Sequence, residues 1–332
     1  MAEDMNKKEI SDEPILDVVV QTPVVAVGVA GGNHQPSGIK KTVEKQEGKK
    51  GKEPKRKMKA KDVPFIVLLT FLAVMFISPI LLVLMNSFKG KNYLSTEPFA
   101  FPNATSFVGF DNYIEGAAKI NFVPAFFTSL FITVFSVALI VLCTSMCAWF
   151  IVRIKKWYSK LLYLLCAFSM IVPFQMVMYP MTQVASMLKL NNMVGIIFVY
   201  LGFGAGLAVF MFVGFIKSVP LEIEEAAMID GCGALRTYFL VVFPILKPTA
   251  ITVAILDAMW IWNDYLLPYL LLNTSDTRTL PMAIQYLRGG YGSIDMANMM
   301  AMIILSIIPI VIFYLVCQKY IIKGIVAGAV KG

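Results

Sequence analysis

The sequence predicts an all-α membrane protein, and three observations carry that prediction. Hydrophobic residues make up 58% of the 332 positions and charged residues only 15%, against roughly 45–50% and 25% in soluble domains. The apolar residues are gathered into six runs of about the 20 residues a helix needs to cross a bilayer. The basic residues collect in alternate connections between those runs, as they do where connections face the cytoplasm.

Taken in order, the first run goes from Phe65 to about Met85 and the second from Phe126 to about Ile151. A third covers Leu161 to about Met181 and is interrupted by Pro173. Methionines 170, 176, 178 and 181 surround that proline and read as packing, since methionine fills irregular space. The fourth run, Met193 to about Phe215, contains Gly195, Gly202, Gly204 and Gly206, which permit close helix packing. The fifth is expected from Thr249 to about Leu272, and the last from Met299 to about Tyr320.

Charge sets the orientation. Eleven basic residues lie between Ile39 and Asp62, opposed only by Glu44, Glu47 and Glu53, directly before the first run. Such a segment holds that end in the cytoplasm and suits contact with anionic lipid head groups. Arg153, Lys155, Lys156 and Lys160 mark the next inner connection, and Lys319, Lys323 and Lys331 the carboxyl end. The connection from Lys89 to Asn121 balances its charges, as an outer loop does. Six transmembrane helices with both termini cytoplasmic satisfy all of this.

Other classes are excluded by what the charges and cysteines lack. The net charge of +8 resides largely in a segment without aromatic residues, which argues against nucleic acid. Cys143, Cys147, Cys166, Cys232 and Cys317 show no metal-ligand spacing, and His34 is the only histidine. Gly32 to Thr42 superficially resembles a phosphate-binding loop, but Ile39 separates Gly38 from Lys40 and no amphipathic helix follows. Residues 1–61 therefore read as a Lys-rich cytoplasmic extension without ordered structure, and residues 62–332 as the transmembrane domain, with an inner loop at 217–247.

That loop carries the most specific signal. Ser218 is placed to cap a helix, Pro220 suits its first turn, and Glu222, Glu224 and Glu225 favour its positive end. Ala226 and Ala227 keep the surface shallow, and Gly231 supplies a stop that tolerates positive φ. A second short helix is expected from Ala234 to Phe239, before Pro244 and Pro248 break the chain. The product is a compact knob suited to a groove on another protein.

Here the chain resembles the permeases of binding-protein-dependent ABC importers. Their cytoplasmic signature is Glu-Ala-Ala, three residues, Gly, nine residues, then Ile-x-Leu-Pro. This chain has Glu225-Ala226-Ala227, Asp230-Gly231 at the required offset, and Val241-Val242-Phe243-Pro244 at the close. The resemblance covers about Pro64 to Gly332. Trp262-Asn263-Asp264-Tyr265 and the tail from Lys323 are similar to the carbohydrate-importing branch, of the maltose and glycerol-phosphate transporter type.

The resemblance implies a type I importer permease architecture without catalysis of its own. It implies ATPase coupling through Glu224, Glu225, Ala226, Ala227, Asp230, Gly231 and Pro244. It further implies a second homologous permease, two ATP-binding subunits holding ATP and Mg²⁺, an extracytoplasmic solute-binding protein, and a carbohydrate substrate. No cofactor is expected in this chain.

Inside the fifth span, Asp257 and Asp264 are seven residues apart, on nearly one helix face. A carboxylate in a span faces a protein interior or a watery path. With Trp260, Trp262, Asn263 and Tyr265 it offers sugar-binding chemistry, because rings pack against sugar C–H faces while amides and carboxylates bond hydroxyls. The alternative for these residues is a helix interface with the partner permease. Two further alternatives are an ABC permease for another small solute and an ion-coupled secondary transporter. The latter leaves the Glu225 to Pro244 pattern unexplained.

Overall fold

The computed structural model describes residues 63–272, 277–288 and 295–329, with side chains to Gln318. The extension 1–61, its basic segment and the side chains of the carboxyl tail lie outside the described residues. Apart from an isolated bridge between Lys89 and Phe107, the regular structure among the described residues is all helix.

Helix α1 spans Val63–Asn86, and Asn86 is its only buried residue. The connection that follows is built rather than loose. It holds α2 (Lys91–Thr96) and α3 (Asp111–Lys119). Lys89 is 1% exposed because its Nζ donates to the Glu97 carbonyl at 2.8 Å. Asn112 Nδ2 donates to the carbonyls of Ser87 and Lys89.

Helix α4, Phe122–Arg153, buries a stripe that includes Ala125, Ser129, Ser136, Ile140, Thr144, Ser145 and Ala148. The stripe recurs every three or four residues and is mostly small. In lipid, where burying apolar surface gives helices little reason to associate, small residues let backbones approach and dispersion do the rest.

The third run is broken at Pro173, where the sequence placed its interruption. Helices α5 (Trp157–Ser169) and α6 (Phe174–Met187) meet at 111°. Pro173 has no N–H to donate and disfavours helical geometry at the residue before it. The chain therefore turns sharply between Met170 and Pro173.

Helix α7, Met193–Ile216, is capped by Asn192 Oδ1, which accepts from the Val194 and Gly195 amides at 3.1 and 2.9 Å. Three of its five glycines are there for space. A Cβ at Gly195 would overlap the Leu190 carbonyl, one at Gly204 would meet Ile140, and one at Gly206 would meet the Cys166–Met170 turn. Gly202 and Gly214 face open space.

After α8 (Glu222–Ile229) the chain is helical from Ala234 to Asn263, as α9. Pro244 and Pro248, expected to break the chain, lie inside this helix, so the non-helical loop ends by Gly233 and the fifth span starts well before Thr249. A π turn at Tyr238–Val242, in which the Phe243 amide reaches back to the Tyr238 carbonyl, precedes the first proline. The widened turn accommodates a ring that would clash with a regular α-helical carbonyl. Beyond Asn263 come α10 (Leu266–Leu271), α11 (Leu280–Gln285) and the long α12 (Met296–Ala329).

The main core lies among α4, α7 and α9, with Ile132, Ile140, Tyr200, Phe212, Tyr238 and Leu246 at its centre. A smaller core joins Ile120 and Ala125 to Trp262, Leu280, Ala301 and Met302. At one end of the bundle Arg153 meets Val219 and Glu224. At the other, the Leu280 amide donates to Ser129 Oγ and Lys119 pairs with Asp295 at 2.7 Å.

Candidate functional site: the inner-loop helix and the end of the fifth span

Helix α8 is short, and its ends explain its position. Ser218 does not cap it, because the Ser218 hydroxyl donates back to the Phe215 carbonyl. The start is held by backbone bonds from Glu224 and Glu225 to Leu221 O and by three carboxylates in the first turn, which suit the positive helix end. The finish is a Schellman turn. Gly231 N–H donates to Met228 O and Cys232 N–H to Ala227 O, both at 3.0 Å. Gly231 has φ +84°, a region that costs any residue with a Cβ.

The two glutamates of the expected coupling set part company. Glu224 is 1% exposed. Its Oε1 accepts from Arg153 Nη2 at 2.6 Å and Nε at 3.0 Å, and its Oε2 from Trp149 Nε1 at 2.9 Å. Arg153 Nη2 also donates to Val219 O. Glu224 is thus an inward clamp that ties α8 to the end of α4, and it does not face an external partner as the sequence suggested.

Glu225, Ala226 and Asp230 are exposed, and Ala227 is half-buried. Beside them stand Leu221, Ile223, Met228 and Ile229, the last 86% exposed. An apolar knob thus stands exposed on the Glu224–Arg153 ion pair. Pro244 is not part of it, since it lies within α9.

At the opposite end of α9 the residues expected on a substrate path also separate. Asp257 is buried, and its Oδ2 has no partner. Trp262 is buried, donates to Ser306 O at 3.1 Å and packs edge-on against Phe126. Asn263 is exposed and bonds back to Met259 O. Asp264 lies past the helix end rather than on a common face with Asp257. Its Oδ1 accepts the Leu266 amide at 3.0 Å and caps α10, while its Oδ2 accepts Tyr200 OH at 3.0 Å.

Trp260, 41% exposed, sits edge-on to Tyr200 with centroids 5.5 Å apart, and Tyr265 stacks on Tyr269 at 5.2 Å. Trp260 and Asp264 are brought together through Tyr200, and Tyr265 follows Asp264 directly in the chain. Tyr200 was missed because it falls mid-run in an apolar span; a lone phenol among aliphatic residues was the available signal. Arg153 and Trp149 were missed as a site because nothing local links them to Glu224. Among the described residues no cluster of His, Cys, Asp or Glu is able to hold a metal ion.

Residues 140–326 match the family of binding-protein-dependent transport system inner membrane components. The chain belongs to that family. It is therefore an ABC transporter permease of the cell membrane, a non-catalytic subunit whose ATPase is a separate chain.

Relatives of this permease include the probable starch degradation products transport system permease protein of Thermoanaerobacterium thermosulfurigenes. That protein is 42% identical over 80% of this chain and 96% of its own. The multiple sugar-binding transport system permease protein of Streptococcus mutans is 39% identical over 80% of this chain and 95% of its own. The melibiose/raffinose/stachyose import permease protein of Bacillus subtilis is 33% identical over 76% and 91%. In fold, the permease is similar to a chain of a bacterial ABC transporter involved in the import of the acidic polysaccharide alginate. The TM-score is 0.65 at 24% identity, covering 79% of this chain and 98% of the other.

Proposed function

We propose that this permease carries a carbohydrate inward by alternating access, with α8 as its lever. The observation that carries the lever is the exposed apolar face of α8, held to α4 by the Glu224–Arg153 ion pair. Closure of two ATP-binding subunits, which hold ATP and Mg²⁺, moves that knob through Glu225, Ala226, Ala227, Asp230 and Gly231. The motion biases one arrangement of the spans over another. A second homologous permease completes the path, and an extracytoplasmic binding protein delivers the solute.

The geometry supports six spans with both termini cytoplasmic. The Arg153 end of α4 and the Ile216 end of α7 both adjoin the 217–221 turn, so Phe122 and Met193 begin at the opposite end. The bent pair α5–α6 must then cross once between Arg153 and Met193, giving six crossings with α1, α4, α7, α9 and α12. The lysines near Arg153 put that end inside. This is the arrangement of a type I importer permease.

The carbohydrate reading rests on the sugar and oligosaccharide transport named for the relatives above. It fits the exposed Trp260 and Asn263, and the Tyr265–Tyr269 stack beside Asp264. Asp257, buried within the chain, fits the helix interface and not the path.

The test is uptake into proteoliposomes holding the whole transporter and its binding protein. Labelled oligosaccharide should accumulate only with ATP inside. Accumulation driven by an ion gradient after ATP depletion overturns the importer reading. ATP-driven uptake of another solute in place of sugars overturns the substrate alone.

A further inference from the structure

A concavity of about 640 Å³ opens where α4 ends, α5 begins and α7 ends. Arg153, Lys155, Ser159, Lys160, Tyr163 and Lys217 contribute its polar lining, and no acidic residue does. Arg153 is committed to Glu224, which leaves three lysines from two separate stretches of chain converging on one hollow. Lys217 Nζ sits 5.9 Å from the centre of the Tyr163 ring.

Lysines that only orient a membrane protein need no such convergence; any position on the inner connection serves. Ser159 adds an independent observation. It lines the hollow and is 2% exposed, yet its Oγ has no hydrogen-bond partner. A buried hydroxyl without a partner is costly. Ser159 also stands in the first turn of the 13-residue α5, whose N-cap, Lys156, supplies no side-chain bond, so backbone donors are unsatisfied there as well. Three ammonium groups, one hydroxyl and a helix N-terminus form a receptor for a tetrahedral oxyanion.

We propose that this pocket binds a phosphate group, carried either by an anionic phospholipid or by free inorganic phosphate. The outer face of α5 favours the lipid. Trp157, Leu161, Leu164, Leu165 and Phe168 are 44–74% exposed and continue from the pocket as an apolar track for acyl chains, below a basic rim. Binding here is read directly and independently of what the permease transports.

The experiment is native mass spectrometry on the whole transporter, stripped of lipid and then offered phosphatidylglycerol, phosphatidylcholine or inorganic phosphate. Wild type should retain phosphatidylglycerol at least about tenfold more than phosphatidylcholine. The triple variant Lys155→Gln/Lys160→Gln/Lys217→Gln should lose about tenfold or more of that retention. Ser159→Val, which keeps every charge, should lose about threefold.

Should the triple variant insert poorly, Lys217→Gln/Ser159→Val keeps the basic α4–α5 connection and carries the tenfold expectation. Binding of inorganic phosphate that the same variants weaken supports the pocket and assigns the free anion. Equal phosphatidylglycerol retention by wild type and inserted variants, with no phosphate binding, overturns the proposal.

Discussion

Arg153 and Glu224, 71 residues apart in sequence, meet at 2.6 Å between the end of α4 and the first turn of α8. Both carboxylate oxygens are satisfied, the second by Trp149 Nε1. A short helix of eight residues has little of its own to hold it in place. This pair is what fixes α8 to the end of α4.

Removing Glu224 leaves a guanidinium and an indole N–H facing a vacated site. Breaking such a pair costs about 2–4 kcal/mol where one partner keeps some water. Glu224→Ala should therefore raise the number of ATP molecules hydrolysed per sugar imported at least fivefold while the permease still assembles. Glu224→Gln should fall between. An unchanged ATP-to-sugar ratio in Glu224→Ala argues against the clamp.

Gly231 and Gly233 make a controlled contrast. A Cβ on either meets nothing within 4 Å, but only Gly231 has positive φ. Gly231→Ala is expected to cost about 1 kcal/mol of local helix termination and to lower transport several-fold. Gly231→Asp adds a second charge beside Asp230 and should abolish transport while insertion persists. Gly233→Ala should transport as wild type, and a comparable loss there would remove backbone conformation as the explanation.

The glycines of α7 sort by what surrounds them. Gly202→Ala should accumulate normally, since its Cβ points at open space, whereas Gly195→Ala drives a methyl into the Leu190 carbonyl and should leave little folded protein. Gly204→Ala meets Ile140, most closely at its terminal Cδ1, so Ile140→Val, which removes that carbon, should restore most of the loss. Membrane-fraction yield and melting temperature give the readout. Equal yields for Gly195→Ala and Gly202→Ala contradict the packing argument.

Outside the spans, Lys119 bridges Glu115 and Asp295 at 2.6 and 2.7 Å. Burial works to raise the Asp295 carboxyl, but the hydrogen bond and charge of Lys119, with help from Asn298, hold it below the usual carboxylate range. A depressed carboxylate contributes fully above its ordinary pKa and loses that contribution as pH falls through the lowered value. The tie between α3 and α12 should thus survive mild acid and release only in strong acid. Hydrogen exchange at α3 should show protection unchanged from pH 7 to 5 and lost in Asp295→Asn at both. Loss of protection in wild type by pH 5 contradicts this assignment.

The spans were legible because the lipid requirement writes itself as long apolar runs, and α1, α4 and α7 begin and end within a few residues of expectation. The stop at Gly231 was legible because it is local chemistry. Glu222, Glu224 and Glu225 look alike in sequence; which one turns inward is decided by Arg153 and Trp149 on a distant helix. Pro244 and Pro248 read as breakers because local rules do not foresee a π turn that makes room for a ring. Asp264 read as a residue of the span because nothing local shows that α9 stops at Asn263 and that its carboxylate then caps α10.

The same π turn also sets an angle. Each residue in an α-helix advances about 100° around the axis, and a π turn spends one extra residue on a single revolution. The loop-side start of α9 and its far end are consequently phased by different counts. Tyr238 reaches Ser145 at 2.6 Å while Asp257 and Ile261 still face the interior. Forcing Tyr238–Val242 into regular α-helical turns with no residue removed would rotate its two ends by about 100° relative to each other, so the spacing between the loop and Trp260 is a gear setting as well as a length.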